Sequence, residues 1–339
     1  MKTTAYVFAA ALLCCAAEAP AAVVEGDGYV YEGAVAPDGR PQGYGVCCYD
    51  NGTVYYGLWS AGKRNGLGRM RFADDTFEFG IWKNGVYQPV KGQKFVPGRQ
   101  CYGIDVSKYQ KEVDWPALSL PANASGKVLP AGRKTSYRQP VLFALMKSTQ
   151  GTTVKDPTFV RNFAQARRCG IIRGAYHFLS VHTPAAKQAA EFIANTPLDG
   201  GDLPPVLDLE IDKTTMQRDH AKVVAMAKEW LAIVERHYGV KPIVYTYNNY
   251  YIDYLRGHGL DGYDYWIARY GAEPTARHWE IWQFTETGRA AGINHAVDIN
   301  VFRGNYRDLV DYVESKGIHR NYGRSRRPST MVPAHTTVR

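Results

Sequence analysis

The amino-acid sequence predicts an α/β protein: an irregular (β/α)8-like barrel preceded by a small all-β module. Three observations carry that expectation. Eight short apolar runs lie between Tyr102 and Phe302, several of them separated by helical patterns. Ahead of them, Gly28 to Gly85 repeats itself at an interval of 23 residues. Acidic residues stand at the ends of several apolar runs, where such barrels carry their chemistry.

The repeats come first in the chain. Tyr56-Gly57-Leu58-Trp59 matches Phe79-Gly80-Ile81-Trp82 and, more loosely, Glu32-Gly33-Ala34-Val35. Gly39, Gly62 and Gly85 keep the interval, as do the pairs Gly43/Gly66 and Gly45/Gly68. Aromatic-Gly-x-Trp alternates as a strand, Gly62 to Gly68 reads as a turn, and Arg69 to Phe72 as the returning strand. The expected unit is a hairpin, and about three of them fill residues 26–90, followed by a basic linker at 91–100.

The eight apolar runs are Tyr102–Val106, Val141–Lys147, Ile172–Phe178, Pro205–Leu209, Pro242–Tyr247, Tyr265–Arg269, Glu280–Phe284 and Val297–Phe302. Helical patterns at Asp156–Arg168, Ala185–Ala194 and Thr214–His237 follow the second, third and fourth runs. Asp156-Pro157 reads as a cap and first-turn pair, Gly239 closes the third helix, and Tyr251–Gly257 gives a short fourth one. The last three runs stand too close together for full helices, so the second half is expected to be irregular. An open doubly wound sheet normally places a Gly-rich phosphate turn after its first strand. This chain has Asp105-Val106-Ser107-Lys108 there instead.

Composition bounds the rest. The chain has 339 residues, 45% of them hydrophobic and 22% charged, as in globular proteins. A formal charge of +9 suits an anionic polymer or surface. Nucleic acid is set aside because no zinc-ligand spacing, recognition-helix pattern or Arg-rich helix is present. Lys2, an apolar core from Ala5 to Ala17 and Ala19-Pro20-Ala21 read as an export signal over residues 1–21. A secreted protein, extracellular or periplasmic, is therefore expected. Four cysteines remain after cleavage, Cys47, Cys48, Cys101 and Cys169, and their pairing is left open. No metal or other cofactor is called. The barrel is assigned to 101–316, and the basic tail 317–339 is expected to be disordered, with at most weak contact to an anionic wall or membrane. A monomer is expected.

The candidate chemistry centres on Leu203-Pro204-Pro205-Val206-Leu207-Asp208-Leu209-Glu210. Alternate residues of a strand share a face, so Asp208 and Glu210 project together. Two neighbouring carboxylates resist joint ionisation, which lets one stay protonated as an acid. Asp105 lies towards the end of the first run and Asp298 on the eighth, so both are placed at the mouth facing Asp208 and Glu210. Four acids beside Tyr176, Tyr245 and Trp282 describe a carbohydrate site: rings stack on aromatics while acids work. A Mg²⁺ or Ca²⁺ cage is the competing use of such acids.

Residues 101 to about 305 resemble glycoside hydrolase family 25, the Chalaropsis-type lysozymes (N-acetylmuramidases). The matching pieces include Gly103-Ile104-Asp105-Val106-Ser107, Lys147-Ser148-Thr149-Gln150-Gly151 and Gly174-Ala175-Tyr176-His177-Phe178. Pro205 to Glu210, Tyr245-Thr246, Trp266-Ile267-Ala268-Arg269-Tyr270, Trp282-Gln283-Phe284-Thr285 and Val297-Asp298-Ile299-Asn300 follow in order. The earlier segment resembles the MORN repeat, whose arrays serve as interaction or spacing modules. The first resemblance implies a hydrolase of the β-1,4 bond between N-acetylmuramic acid and N-acetylglucosamine in peptidoglycan. It implies Glu210 as acid, Asp208, Asp105 and Asp298 as supporting carboxylates, and Tyr176, Tyr245, Trp282 and Gln283 against the sugar. Two routes stay open: attack by the substrate's own N-acetyl group, or direct activation of water with inversion. A non-catalytic wall-binding or scaffold protein and a hydrolase of another N-acetylated glycan such as chitin are the alternatives. Leu120 to Gln139 is longer than the family's usual first connection and is expected to reshape one rim of the cleft.

Overall fold

The structure, a computed structural model, describes residues 22–74, 76–88, 94–95 and 100–318. The expected signal peptide, most of the linker and the tail beyond Ile318 lie outside the described residues.

The repeats form one antiparallel sheet in sequence order: β1 (Ala22–Gly26), β2 (Tyr29–Val35), β3 (Pro41–Tyr49), β4 (Val54–Ser60), β5 (Lys63–Arg71), β6 (Phe77–Lys83) and β7 (Val86–Gln88). Glycines meet across the strands, Gly33 opposite Gly45, Gly45 opposite Gly57, and Gly68 opposite Gly80. The reason is steric. Tyr31 and Tyr55 lie flat across this glycine row, and a methyl on Gly45 would stand 2.3 Å from the Tyr31 ring. A methyl on Gly68 would meet the Tyr55 hydroxyl at the same 2.3 Å. Trp59 and Trp82 then pack edge-on against these tyrosines, with ring centroids 5.1–5.3 Å apart.

The opposite face of this sheet is seated on the rest of the molecule. Arg69 is 1% exposed and donates to the carbonyls of Gly170 (2.9 Å) and Val141 (2.6 Å). The Tyr56 side chain packs on Gly170, where a methyl would stand 2.6 Å from the tyrosine Cβ. Arg71 lies over the ring of Tyr306, 5.9 Å from its centroid. Val141 and Gly170 immediately precede the second and third strands of the ring described next, so the sheet closes that ring's N-terminal end.

A short β8 (Lys94–Phe95) leads to β9 (Cys101–Val106), a hairpin of β10 (Ser119–Ala122) and β11 (Tyr137–Pro140), then β12 (Phe143–Gln150) and β13 (Val154–Lys155). After α1 (Phe159–Arg168) come β14 (Ile172–Phe178), α2 (Ala185–Asn195), β15 (Val206–Asp208), α3 (Lys213–Tyr238) and β16 (Ile243–Tyr247). A single turn α4 (Asn248–Tyr250) runs on as a wider turn to Leu255, followed by β17 (Tyr265–Ala268), β18 (Trp279–Gly288), β19 (Val297–Phe302) and α5 (Tyr306–Lys316). The ring order is β9-β12-β14-β15-β16-β17-β18-β19, and β19 returns to β9. All eight expected strands are in that ring.

Two features depart from a regular (β/α)8 barrel. No helix lies between β17, β18 and β19, and β19 runs antiparallel to both its neighbours. The short connection after β18 leaves no room for a crossover helix, so the chain turns back beside the strand it left, whereas β17 and β18 stay parallel across a helix-free connection. The second corrects the expected placement of Asp298. It sits near the start of β19, and only the reversal of that strand brings it to the mouth.

The stretch 120–139 packs outside the ring, and Ser119 just ahead of it bridges Ala291 in the connection between β18 and β19. It forms the β10–β11 hairpin, which takes the place of a first crossover helix and pairs with β8 beside the N-terminal half of the ring. Its Leu120 and Ala122 are fully buried, and Leu120 joins the apolar layer outside the strands. Asp156 also acts differently from its expected capping role. It accepts from both the backbone nitrogen and the hydroxyl of Thr158, and lies three residues ahead of α1. Gly239 ends α3 in the left-handed conformation as expected.

Period-2 alternation divides the core. Ile104, Ala144, Met146, Leu207, Val244 and Ile267 face outward onto Phe163, Trp230 and other helix residues. Phe143, Leu145, Val206, Ile243, Trp266 and Ile281 fill the interior of the ring. Continuing each interior series by one step reaches the mouth: Lys147, Asp208, Tyr245 and Gln283.

Candidate active site

Asp105 and Asp298 are direct cross-strand partners on β9 and β19, and their side chains hydrogen-bond each other. Asp105 Oδ2 also accepts from Gln283 Nε2 at 2.9 Å and Asn300 Nδ2 at 2.8 Å. Gln283 Nε2 reaches Asp298 Oδ2 at 3.2 Å. Burial raises both carboxyls, and the charge of Asp105 adds to the effect on Asp298, which is pushed up to about 9. The two carboxyls oppose joint ionisation, so the pair holds on to a proton that Asp298 is the readier to keep.

Across the ring, Asp208 ends β15 and Glu210 follows two residues later. Asp208 is 5% exposed, and its Oδ1 makes no hydrogen bond among the described residues. Burial first, and then the charge of Glu210, raise its pKa well above the usual carboxylate range, while Lys147 opposes the rise. Glu210 is half-buried and also raised, chiefly by burial, and hydrogen bonding with Tyr245 and Tyr247 works against the rise. Lys147 donates to Gln150 Oε1 at 2.7 Å and lies 4.8 Å from the centre of the Phe178 ring. Its burial lowers its own pKa, which the charges of Asp208, Asp156 and Glu210 counter.

The aromatics do not all take the expected places. Tyr176 and Tyr245 flank Trp266 inside the ring, with centroids 6.0 and 4.2 Å from it. Trp282 occupies the other face of β18 from Gln283, as strand alternation requires. It packs against Phe284 in the outer layer and donates to the Arg269 carbonyl at 2.7 Å. Tyr245 donates to Gln283 Oε1 at 3.0 Å. Tyr247 and Tyr270, each about two-fifths exposed, supply open rings at the mouth. His177 points outward, stacked on Trp230 and held by Thr149 and Gln188. Burial lowers its pKa to about 4, so it is neutral at physiological pH.

Residue types alone did not single out Asn300, Trp266, Lys147, Tyr247 and Tyr270. Their signal was positional, since Lys147 and Asn300 fall on the inward series of β12 and β19. Asn300 in turn bridges Asp105 to the Trp266 ring nitrogen at 2.8 Å.

Buried carboxyls in opposed pairs at one end of the ring are the arrangement of an acid/base glycan-cleaving site. Comparison with known proteins agrees. The profile of Glycosyl hydrolases family 25 matches residues 104–293. The chain belongs to this family. It is accordingly a glycoside hydrolase. The MORN repeat profile matches residues 38–54 and 55–77 in the sheet ahead of it.

Among relatives, uncharacterized protein YegX of Escherichia coli K12 is 33% identical over 233 residues, covering 67% of this chain and 79% of that protein. Lysozyme M1 of Streptomyces globisporus is 28% identical over 223 residues, covering 61% of this chain and 69% of that one. Among solved structures, the bacterial lysozyme from Streptomyces coelicolor superposes with a TM-score of 0.53 at 26% identity. That match covers 65% of this chain and 98% of the lysozyme. The family match spans Asp105, Asp208 and Glu210 and stops short of Asp298.

Proposed function

We propose that this family 25 hydrolase is a muramidase. It would cleave the β-1,4 bond between N-acetylmuramic acid and N-acetylglucosamine in peptidoglycan. The observation that carries the reading is the pairing of Asp208 with Glu210 at one side of the mouth, opposite the proton-sharing Asp105 and Asp298. Glu210, half-buried with a raised pKa, protonates the leaving oxygen and later takes a proton from water. Asp208 carries an oxygen without a partner among the described residues, an acceptor suited to the N–H of the substrate's acetamido group. Orienting that group towards C1 favours attack by its own carbonyl oxygen, with retention at the anomeric carbon.

Lys147 beside Asp208 favours the charged form of the orienting carboxylate. Tyr247, hydrogen-bonded to Glu210 and two-fifths exposed, offers a face to the sugar ring. The lysozyme relatives, the basic charge of +9 and the export-signal pattern of residues 1–21 support action on cell wall outside the cytoplasm. Purified sacculi test the reading directly. Muramic acid at the new reducing ends, initially in the β configuration, is expected. N-acetylglucosamine at those ends would refute a muramidase, and initial α product would refute the acetamido route.

A further inference from the structure

Gln283 is 2% exposed, and both ends of its amide are engaged inside the ring. Its Nε2 donates to Asp105 and Asp298 at 2.9 and 3.2 Å, while Oε1 accepts from Tyr245 and Tyr270 at 3.0 and 3.2 Å. A primary amide has two donor hydrogens on nitrogen and two acceptor lone pairs on oxygen, so all four positions are filled. The opposite rotamer would turn the amide oxygen onto a carboxylate pair that carries negative charge. The amide therefore has one direction: donors to the acids, acceptor to the phenols.

That direction passes through Tyr245, whose hydroxyl has a single proton. Tyr245 also reaches Glu210, where a donated bond would favour that carboxyl's charged form, but its O–H lies on Gln283. While its O–H points to Gln283, its oxygen can only accept from Glu210, which requires Glu210 to be protonated. When Glu210 has passed its proton to the leaving oxygen, the Tyr245 O–H can turn to the new carboxylate. Tyr270 is placed likewise between Gln283 and Glu286 Oε2, at 3.2 Å from each.

We infer that Gln283 is a positioning residue that sets the direction of the hydrogen bonds across the site, holding Glu210 as a donor and the Asp105–Asp298 pair on one proton. The inference rests on the proposed role of Glu210 as the acid. Other ionisable groups surround the same space: Asp208 and Lys147 beside Glu210, Tyr176 on β14, Tyr247 after β16, and Glu286 on the outer end of β18. None of them links the two acid pairs through hydrogen bonds as Gln283 does.

The test is the pH profile of kcat/KM on soluble muropeptides for the wild type, Gln283→Met and Gln283→Glu, with a melting curve for each. Gln283→Met keeps the length of the side chain and removes all four hydrogen bonds. Its kcat should fall roughly 10- to 100-fold, with KM changed less. Its profile should also narrow from both sides, by about one pH unit each. The acid limb moves up because Asp105 loses donors that favour its ionised form. The alkaline limb moves down because Tyr245 is free to donate to ionised Glu210. Gln283→Glu keeps the acceptor for Tyr245 and loses the donors, so it should raise the acid limb without lowering the alkaline one. It also serves as the test if the methionine variant does not fold. A variant profile that superimposes on the wild type after scaling would overturn the inference and leave Gln283 a packing residue. A wild type that releases no muropeptides would instead overturn the muramidase reading, before any variant is made.

Discussion

The two ends of the barrel bury charge in opposite ways. At the closed end, Arg69 is almost fully buried, and neutral carbonyls of Gly170 and Val141 accept its hydrogen bonds at 2.9 and 2.6 Å. At the open end, Asp105, Asp208, Glu210 and Asp298 are held close enough to raise one another's pKa. A buried cation met by oriented carbonyl dipoles is a fastening, since its charge has no reason to change. Buried carboxyls placed against one another are poised to exchange protons, and that poise costs stability. Substitutions at the closed end should therefore change stability and spare chemistry, and those at the open end should do the reverse.

Glu210→Gln gives the largest effect. Turnover should fall by about 10²–10⁴-fold, the usual worth of a positioned proton donor. A carboxyl whose folded pKa is raised favours folding fully below its unfolded pKa of about 4.3, and loses that contribution as pH rises through its folded value. At neutral pH the glutamine variant should therefore melt at the same temperature as the wild type or slightly higher. A destabilised but active protein would remove Glu210 from the chemistry.

Arg69→Met tests the closed end. Hydrogen bonds to a charged group are worth about 1.5–3 kcal/mol each, offset in part because the cation is no longer buried. A net loss of about 2–4 kcal/mol in chemical denaturation is expected. Turnover per folded molecule should be unchanged. Isolated repeats could then melt separately from the barrel, appearing as a second transition. Unchanged stability would mean that the sheet merely rests on the barrel and that the chain from Gln93 onward can fold and work alone.

Gly45→Ala probes the repeat sheet away from both ends. The added methyl must displace the Tyr31 ring from 2.3 Å, at a cost of about 1–3 kcal/mol. Wild-type melting would show that the tyrosine can yield, and that the glycine interval has another cause.

Asp298→Asn should have the smallest effect on activity. The amide resembles the protonated carboxyl that Asp298 presents up to about pH 9, and it can still donate to Asp105. Turnover should drop about tenfold, far less than for Glu210→Gln. Stability between the unfolded aspartate pKa of about 4 and pH 9 should rise, because the raised pKa penalises the charged form across that window. A loss as large as that of Glu210→Gln would show that Asp298 acts in its charged form.

Much of this architecture is legible in the amino-acid sequence. Alternation and apolar runs place all eight ring strands, and the 23-residue glycine interval announces stacked hairpins, because both are local consequences of strand geometry. Asp208 and Glu210 projecting together also follows from spacing along one strand. What the chain alone could not decide depends on contacts between residues far apart in sequence. The reversal of β19 brings Asp298 opposite Asp105, 193 residues earlier, although a parallel strand would have carried it to the other end. Trp282 faces out and Gln283 in, a matter of which side of β18 meets the helices. Arg69 fastens the repeats to carbonyls 72 and 101 residues away, so an array that reads as a separate module closes the barrel instead. Hydrophobic periodicity specifies which face of each strand is buried. Only the closing of the ring specifies what that face is buried against, because long-range hydrogen bonds and packing select one partner among many that are locally equivalent.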